Sequence, residues 1–265
     1  MKAIICSKKD EAGTNMHKYF LKHGFRESEK EFQGNKVYRK NEFELYLINK
    51  EQIYADEVNS IPAEAFIFAS KHSSKAEKKS LTVHPIGNWS KADFGGKDSE
   101  LIKTSSHLMK NYLISLNKWK EKLLLDFEVT FESTHHGPAL TKPTVFIETG
   151  GTEKEWNDLN AVKAVCETIV NETKFEGKGT ISIGLGGTHY ASLFSKMALN
   201  EEFSFSHMCP KHYLEFLNEE MIEKAIANTM EKVEAIVLDW KGLGQWKEKV
   251  LELSESTELE VIKRK

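Results

Sequence analysis

Seven short apolar runs punctuate the chain, and their spacing restricts the folds open to it. They are "AIICS" (3–7), "FELYLI" (43–48), "AFIFAS" (65–70), "FEVTFES" (127–133), "TVFIET" (144–149), "ISIGLG" (181–186) and "EAIVLD" (234–239). Each has strand length, and Gly, Pro, Ser or His follows most of them. Helical patterns separate many of the runs, at 10–23, 105–124, 152–172, 218–231 and 243–254. Thr152 stands three residues before Glu155, the spacing of a capping box, and Asn218 precedes two acidic residues that suit a positive helix N-terminus. Strands alternating with helices predict an α/β fold, a three-layer sandwich around a mixed, largely parallel sheet with some antiparallel strands in the N-terminal third.

With 265 residues, 40% of them hydrophobic, the chain can bury a full core, and it is expected to form a single α/β domain over 1–265. Residues 71–100 lack strong periodicity, which is long for an idle connection and predicts an ordered functional loop around Trp89, Phe94 and three glycines. A formal net charge of −3 gives no general attraction for nucleic acid, so any RNA contact must rest on a local patch. Three widely separated cysteines form no CxxC pair and fit a reducing compartment. The opening "MKAIICS" is too short for a signal h-region, and no stretch has the length of a membrane span. The expected location is therefore the cytoplasm.

The ten histidines are unevenly placed. His72, His135, His136 and His189 each follow a predicted strand, and ligands of α/β sheets bind at strand ends, so one pocket could collect all four. His135 and His136 are adjacent in "ESTHHGP"; in extended chain, neighbours point to opposite faces, which predicts that only one of them faces the pocket. Imidazole with carboxylate is the natural ligand set for zinc, and Glu132, Glu148 and Asp239 lie within or at the ends of strands. Yet there is no H-E-x-x-H helix and no H-x-E…C-x-x-C set, so spacing alone does not establish a metal. "GLGGTHY" (184–190) departs from G-x-G-x-x-G, and its glycines are read either as a tight turn or as a cradle of N–H groups for a phosphate or oxyanion. No G-x-S-x-G elbow supports a serine nucleophile, and Cys209 reads as a structural thiol. Lys71, Lys75, Lys78, Lys79, Lys91 and Lys97 surround Trp89 and Phe94, a pattern able to grip a phosphate backbone and stack a base.

In their order and spacing, "SKHSS", "HPIGNW", "FGGKD", "THHGP", "GLGGTHY" and "DWKG" resemble the D-aminoacyl-tRNA deacylases of archaea and plants, over essentially the whole chain. The chain reads His189-Tyr190-Ala191-Ser192 where "HYAP" would be expected, a change that removes no titratable group. The resemblance implies hydrolysis of the ester joining a D-amino acid to the terminal adenosine of tRNA, a translation quality-control step. It also implies zinc dependence, with one or more ions per subunit, and a fold similar to peptidyl-tRNA hydrolases and nucleoside phosphorylases. On that basis His72, His135 and His189 are the first metal-ligand candidates. His84, His136, Glu132 and Glu148 are supporting or alternate ligands. His136 is the alternative general base, acting without metal, and Gly186 and Gly187 would hold the oxyanion through their N–H groups. Lys71, Lys75, Lys91 and Lys97 are expected to meet the acceptor stem, with Trp89 stacking the last adenine. The partner is then aminoacyl-tRNA, with no membrane and no obligate protein partner. Two rival classes are a phosphorylase-like or metal-dependent hydrolase acting on a small substrate, and a non-catalytic RNA- or metal-binding protein.

Overall fold

The computed structural model describes residues 1–73 and 77–265. Its elements run β1 (Lys2–Ser7), α1 (Glu11–Lys22), β2 (Arg26–Phe32), β3 (Asn35–Lys40), β4 (Phe43–Ile48), β5 (Ala65–Ser73), β6 (Ser80–His84), α2 (Ser106–Leu123), β7 (Glu128–Phe131) and β8 (Thr144–Gly151). Then come α3 (Glu153–Trp156), α4 (Leu159–Asn171), β9 (Thr180–Leu185), α5 (Ser192–Asn200), β10 (Phe203–Cys209), α6 (Glu219–Ala227), β11 (Ala235–Asp239), α7 (Lys247–Glu255) and β12 (Glu260–Arg264). All seven apolar runs are strands. The capping box at Thr152 forms, but it starts only the short α3, and Asp158 opens α4 by accepting from the N–H groups of Asn160 and Ala161. The 152–172 pattern is thus two helices, broken where a second cap outcompetes continuation of the first.

The strands assemble into two sheets, one ordered β2-β3-β4-β1-β5-β8-β6-β7 and one ordered β10-β9-β11-β12. β4, β1, β5 and β8 are mutually parallel, and β2 and β3 add the antiparallel N-terminal edge. β9 to β12 pair in parallel and form their own sheet rather than extending the first. The segment expected to be one long loop is shorter. β5 continues to Ser73, and Ser80–His84 is a buried strand, β6, that runs antiparallel to β8.

Alternation along the strands sorts the core into faces. Ile4, Cys6, Ile67, Ala69, Val145 and Ile147 pack on one face of the large sheet against residues of α1, α2 and α4. That same cluster takes in Phe205, Met208 and Val237, so it also fills the space between the two sheets. The opposite face carries Ile5, Phe66, Phe68 and Phe146, covered by Val58 of a short 3₁₀ turn and by Ile61 and Leu140 of connecting segments rather than by an α-helix. Beneath the small sheet, Ile183, Leu185, Ile236 and Leu238 meet Met221, Ile222 and Val250 of α6 and α7. The large sheet therefore has one face sealed by helices and one closed by loops, and loops leave room for a cavity. Among the described residues no helix is long and apolar enough to cross a membrane.

Two histidines are held in this core away from any partner charge. His17 of α1 meets Tyr38 edge-on and His207 lies in β10; burial pushes both down to about 4. A histidine whose folded-state pKa is depressed takes up its proton more readily in the unfolded chain, so stability is full above about 6.5 and falls as pH drops toward 4. Each such residue contributes a decline of roughly 1.4 kcal/mol per pH unit within that window. Replacing His17 by Phe is expected to remove part of the fall in thermal midpoint between pH 6.5 and 4.5. A pH profile identical to that of the unmodified chain would contradict this account.

Candidate active site

The site lies on the loop-covered face, where three adjacent strands bring polar groups into register. Ser70 of β5 pairs with Glu148 of β8, which pairs with Thr82 of β6; one step along, His72 pairs with Gly150, which pairs with Ser80. His84 pairs with Phe146. Because residues two apart share a face, His72, Glu148 and His84 all project to the same side. β6 and β7 run against β8, so their ends approach the cluster from the direction opposite to β5. The histidines therefore meet over the middle of the sheet rather than along one edge of strand ends.

Gly150 makes the room for this. A Cβ there would stand 2.6 Å from the Cβ of His72 and 2.8 Å from Oγ of Ser80. The bare backbone lets the His72 ring lie across it.

The segment after β7 joins the two sheets. Glu132 N–H donates to Val83 O, Ser133 N–H to His189 O and Thr134 N–H to Met208 O. The Thr134 hydroxyl in turn accepts from Met208 N–H at 2.9 Å and stands 3.3 Å from Nδ1 of His207. Pairing of Glu132 with Tyr190 draws the "GGTHY" turn alongside, which places His189 next to Glu132. His136 then adopts a left-handed backbone with φ 46°. This breaks the alternation that assigned one of His135 and His136 to each face, and both rings line the cavity, their centroids 4.3 Å apart.

At the centre is Glu132, fully enclosed. Nδ1 of His72 stands 3.0 Å from one of its oxygens and Nε2 of His189 2.9 Å from the other, with His135 Nε2 at 3.6 Å. These are ion-pair distances, yet among the described residues neither oxygen receives a well-aimed hydrogen bond. His72 also reaches Glu148 at 3.6 Å, and the unpartnered Nε2 of buried His84 lies 3.7 Å from the same carboxylate. Burial opposes charge on all of these groups, but the pairing prevails. His72 is pushed up to about 11 by Glu132 and Glu148, and His84 is raised by Glu148. Glu132 is held well below the usual carboxylate range by His189 and His72, and Glu148 is lowered by His72 and His84. His135 and His136 go the other way: burial and the neighbouring imidazoles lower them, His136 to about 4. Pairing thus favours the charged forms of both carboxylates and of His72 and His84, while burial and neighbouring imidazoles favour the neutral forms of His135 and His136.

Backbone carbonyls fix the neutral tautomers. Nδ1 of His135 donates to Ser133 O at 2.7 Å and Nδ1 of His136 to Gly137 O at 2.6 Å, leaving each Nε2 with a lone pair. The ligand atoms of His72, Glu132 and His189 lie within 4.8 Å of one another; so do those of His84, His135 and His136, and those of His84, Glu132 and Glu148. These side chains could hold a metal ion. Their carboxylate oxygens want a partner that the imidazole N–H groups do not fully supply.

A cavity of about 460 Å³ opens above the cluster, lined by His72, His135, His136, Glu148, His189 and Lys71 among others. His84 and Glu132 lie just behind its wall. Lys9 and Asp10, neither singled out by sequence patterns, also line it. Asp10 caps α1 through Gly13 N–H and accepts Lys71 N–H, locking α1 to the end of β5. Lys91 and Lys97 are exposed on the loop beyond, Lys97 beside Glu100 at 3.3 Å, and Lys75 lies outside the described residues. Two expectations fail physically. Trp89 is 1% exposed, packed with Leu101 and Cys209 in the core, and presents no face to a base. Gly186 cannot offer its N–H to an oxyanion because it donates to Cys209 O at 2.8 Å, and Gly187 lines a different cavity with Asp239 and Lys241. Phe94, 65% exposed, lines the histidine cavity together with Phe146 and Tyr213, and of these three it is the one left largely open to solvent. Its place among glycines and lysines was visible in the sequence, but not its exposure.

The D-aminoacyl-tRNA deacylase family matches residues 59–262. The chain belongs to that family. D-aminoacyl-tRNA deacylases of Pyrococcus furiosus and Thermococcus onnurineus are 38% and 39% identical, each alignment covering 99% of this chain and all of the relative. That of Archaeoglobus fulgidus is 37% identical over all of this chain and 97% of its own length. A solved structure described as a conserved protein of unknown function, AF0625, superposes with a TM-score of 0.89 at 36% identity, covering 99% of this chain and 95% of that one.

Gly150 gives the sharpest local test of this geometry. Replacing it with Ala should force His72 off Glu132 and destabilise the fold by about 1–3 kcal/mol. Urea denaturation measures it; a variant as stable as the parent would mean that the ring does not depend on the missing Cβ.

Proposed function

We infer that this chain hydrolyses the ester bond of D-aminoacyl-tRNA, releasing free D-amino acid and tRNA, and that the Glu132-centred cluster carries the chemistry. A tRNA-directed enzyme of this kind would work in the cytoplasm. The observation that favours the cluster is a fully enclosed carboxylate at ion-pair distance from two imidazoles, with both oxygens short of a well-aimed donor among the described residues.

His72, Glu132 and His189 would hold a metal ion, with His84, His135 and Glu148 beside them as further ligands, and zinc is the ion that an imidazole and carboxylate set suits. Such an ion, when bound, supplies a polarised water and a Lewis acid for the ester carbonyl. The chain itself supplies proton handling and position. Nε2 of His136 carries a lone pair aimed from a fixed tautomer and can accept a proton from the attacking water. Because its basicity is depressed, the protonated ring is a strong acid, well suited to return that proton to the departing ribose oxygen as the tetrahedral intermediate collapses. Tyr190, whose hydroxyl lies 2.9 Å from Nε2 of His72, orients that ring. Lys9 and Lys71, which line the cavity, and the exposed Lys91 and Lys97 beyond it would meet the phosphates of the acceptor end.

Pairing with Glu132 and Glu148 pushes His72 up to about 11, so metal binding there must displace its proton; affinity should rise with pH and binding should release protons. The deciding assay compares hydrolysis of D- and L-tyrosyl-tRNA by the untreated, chelated and zinc-restored protein, with metal content measured in parallel. Hydrolysis confined to the D-ester, lost on chelation and restored by zinc, is expected, as is a loss of at least about a hundredfold in Glu132→Gln. Full activity in protein shown to be metal-free would remove the ion from the mechanism, and hydrolysis of neither ester by the zinc-restored protein would remove the deacylase reading.

A further inference from the structure

Phe94 is a large apolar side chain left 65% exposed at the mouth of the reactive cavity, and the surrounding backbone is built to hold it there. Its carbonyl accepts Gly137 N–H at 3.0 Å, from the residue that follows His136. Asn88 donates to Gly95 O at 2.9 Å and to Lys97 O at 3.2 Å, and Asp98 accepts Ala92 N–H at 2.7 Å. Gly95 and Gly96 have φ of 75° and 80°, and a side chain at Gly95 would run into the Ile53 carbonyl. The loop carrying Phe94 and the turn carrying His136 are therefore one hydrogen-bonded unit. Tyr54, 47% exposed, stands next to Gly95, where an added Cβ would lie 3.1 Å from its ring. Phe94 thus shares the cavity lining with Lys9 and Lys71, and Tyr54 stands behind the adjoining Gly95.

An exposed ring at a cavity mouth beside cations suits the stacked face of a nucleobase. This inference rests on the deacylase reading, which fixes the geometry of the occupant. The scissile ester sits on the terminal ribose, so when the carbonyl lies over the histidines, the base on that same ribose must lie at the cavity rim. We propose that Phe94, with Tyr54 beside it, stacks the terminal base of the tRNA 3′ end. Phe94 thus performs the task that the buried Trp89 cannot. The stacking positions the ester through the base and leaves the amino-acid side chain to the interior of the cavity.

The test is a double-mutant cycle on binding alone, using an uncharged acceptor-stem RNA ending in C-C-A and the same RNA with the terminal adenine replaced by an abasic ribose. The unmodified protein is expected to bind the intact end about tenfold more tightly than the abasic end. Phe94→Ala should bind both equally, at the abasic level, and Phe94→Trp should restore the preference. The proposal is overturned if Phe94→Ala keeps the tenfold preference, or weakens both RNAs alike. Since no hydrolysis is read, failure of the stacking is separate from failure of the deacylase reading, which the D- and L-ester assay decides.

Discussion

A carboxylate with no exposure to solvent must find its charge balance inside the protein, and Glu132 imposes that requirement on everything around it. Its neighbours come from four separate parts of the chain. β5 supplies His72, the "GGTHY" turn supplies His189, the segment after β7 supplies His135, and β8 supplies a second carboxylate, Glu148, that shares His72. Gathering two buried carboxylates and five wholly or partly buried imidazoles in one cluster is unfavourable for folding alone. The arrangement makes sense for a chain that spends stability on a poised set of ligands and proton carriers.

The fold meets the requirement with ordinary devices. Register across β5, β8 and β6 aligns His72, Glu148 and His84 on one face. Reversal of β6 and β7 against β8 brings the post-β7 segment over the same spot, where it stitches the large sheet to the small one through Ser133 and Thr134. Coverage by loops rather than a helix leaves the face open enough for a cavity. One left-handed residue, His136, turns what would be a split pair of rings into two rings sharing one wall.

Much of this was legible in the residues. Strong apolar runs marked the strands buried on both faces, and the histidines at their ends pointed to the cavity's location. What escaped did so for identifiable reasons. β2, "RESEKEF", is an edge strand with charges on both faces, so it carries no apolar signal while guarding the sheet edge. β6 hides behind a lysine-rich stretch, and its five residues are too few to show a period. β10, "FSFSHMC", does alternate, and its Phe-Ser pattern was a usable sign. Trp89 and Phe94 look equally able to stack a base in sequence; only tertiary packing buries one and exposes the other. Likewise the glycines of "GLGGTHY" look like an anion cradle until the sheet claims the Gly186 N–H.

The central claim is that the enclosed Glu132 cluster is a metal-binding reaction centre rather than a self-balanced ion network. Anomalous diffraction from zinc-loaded crystals, recorded on both sides of the zinc edge, addresses it without reference to turnover. The account predicts a peak within ligand distance of His72, Glu132 and His189. Fully loaded crystals with no peak at these residues, or with zinc only elsewhere on the molecule, would contradict it.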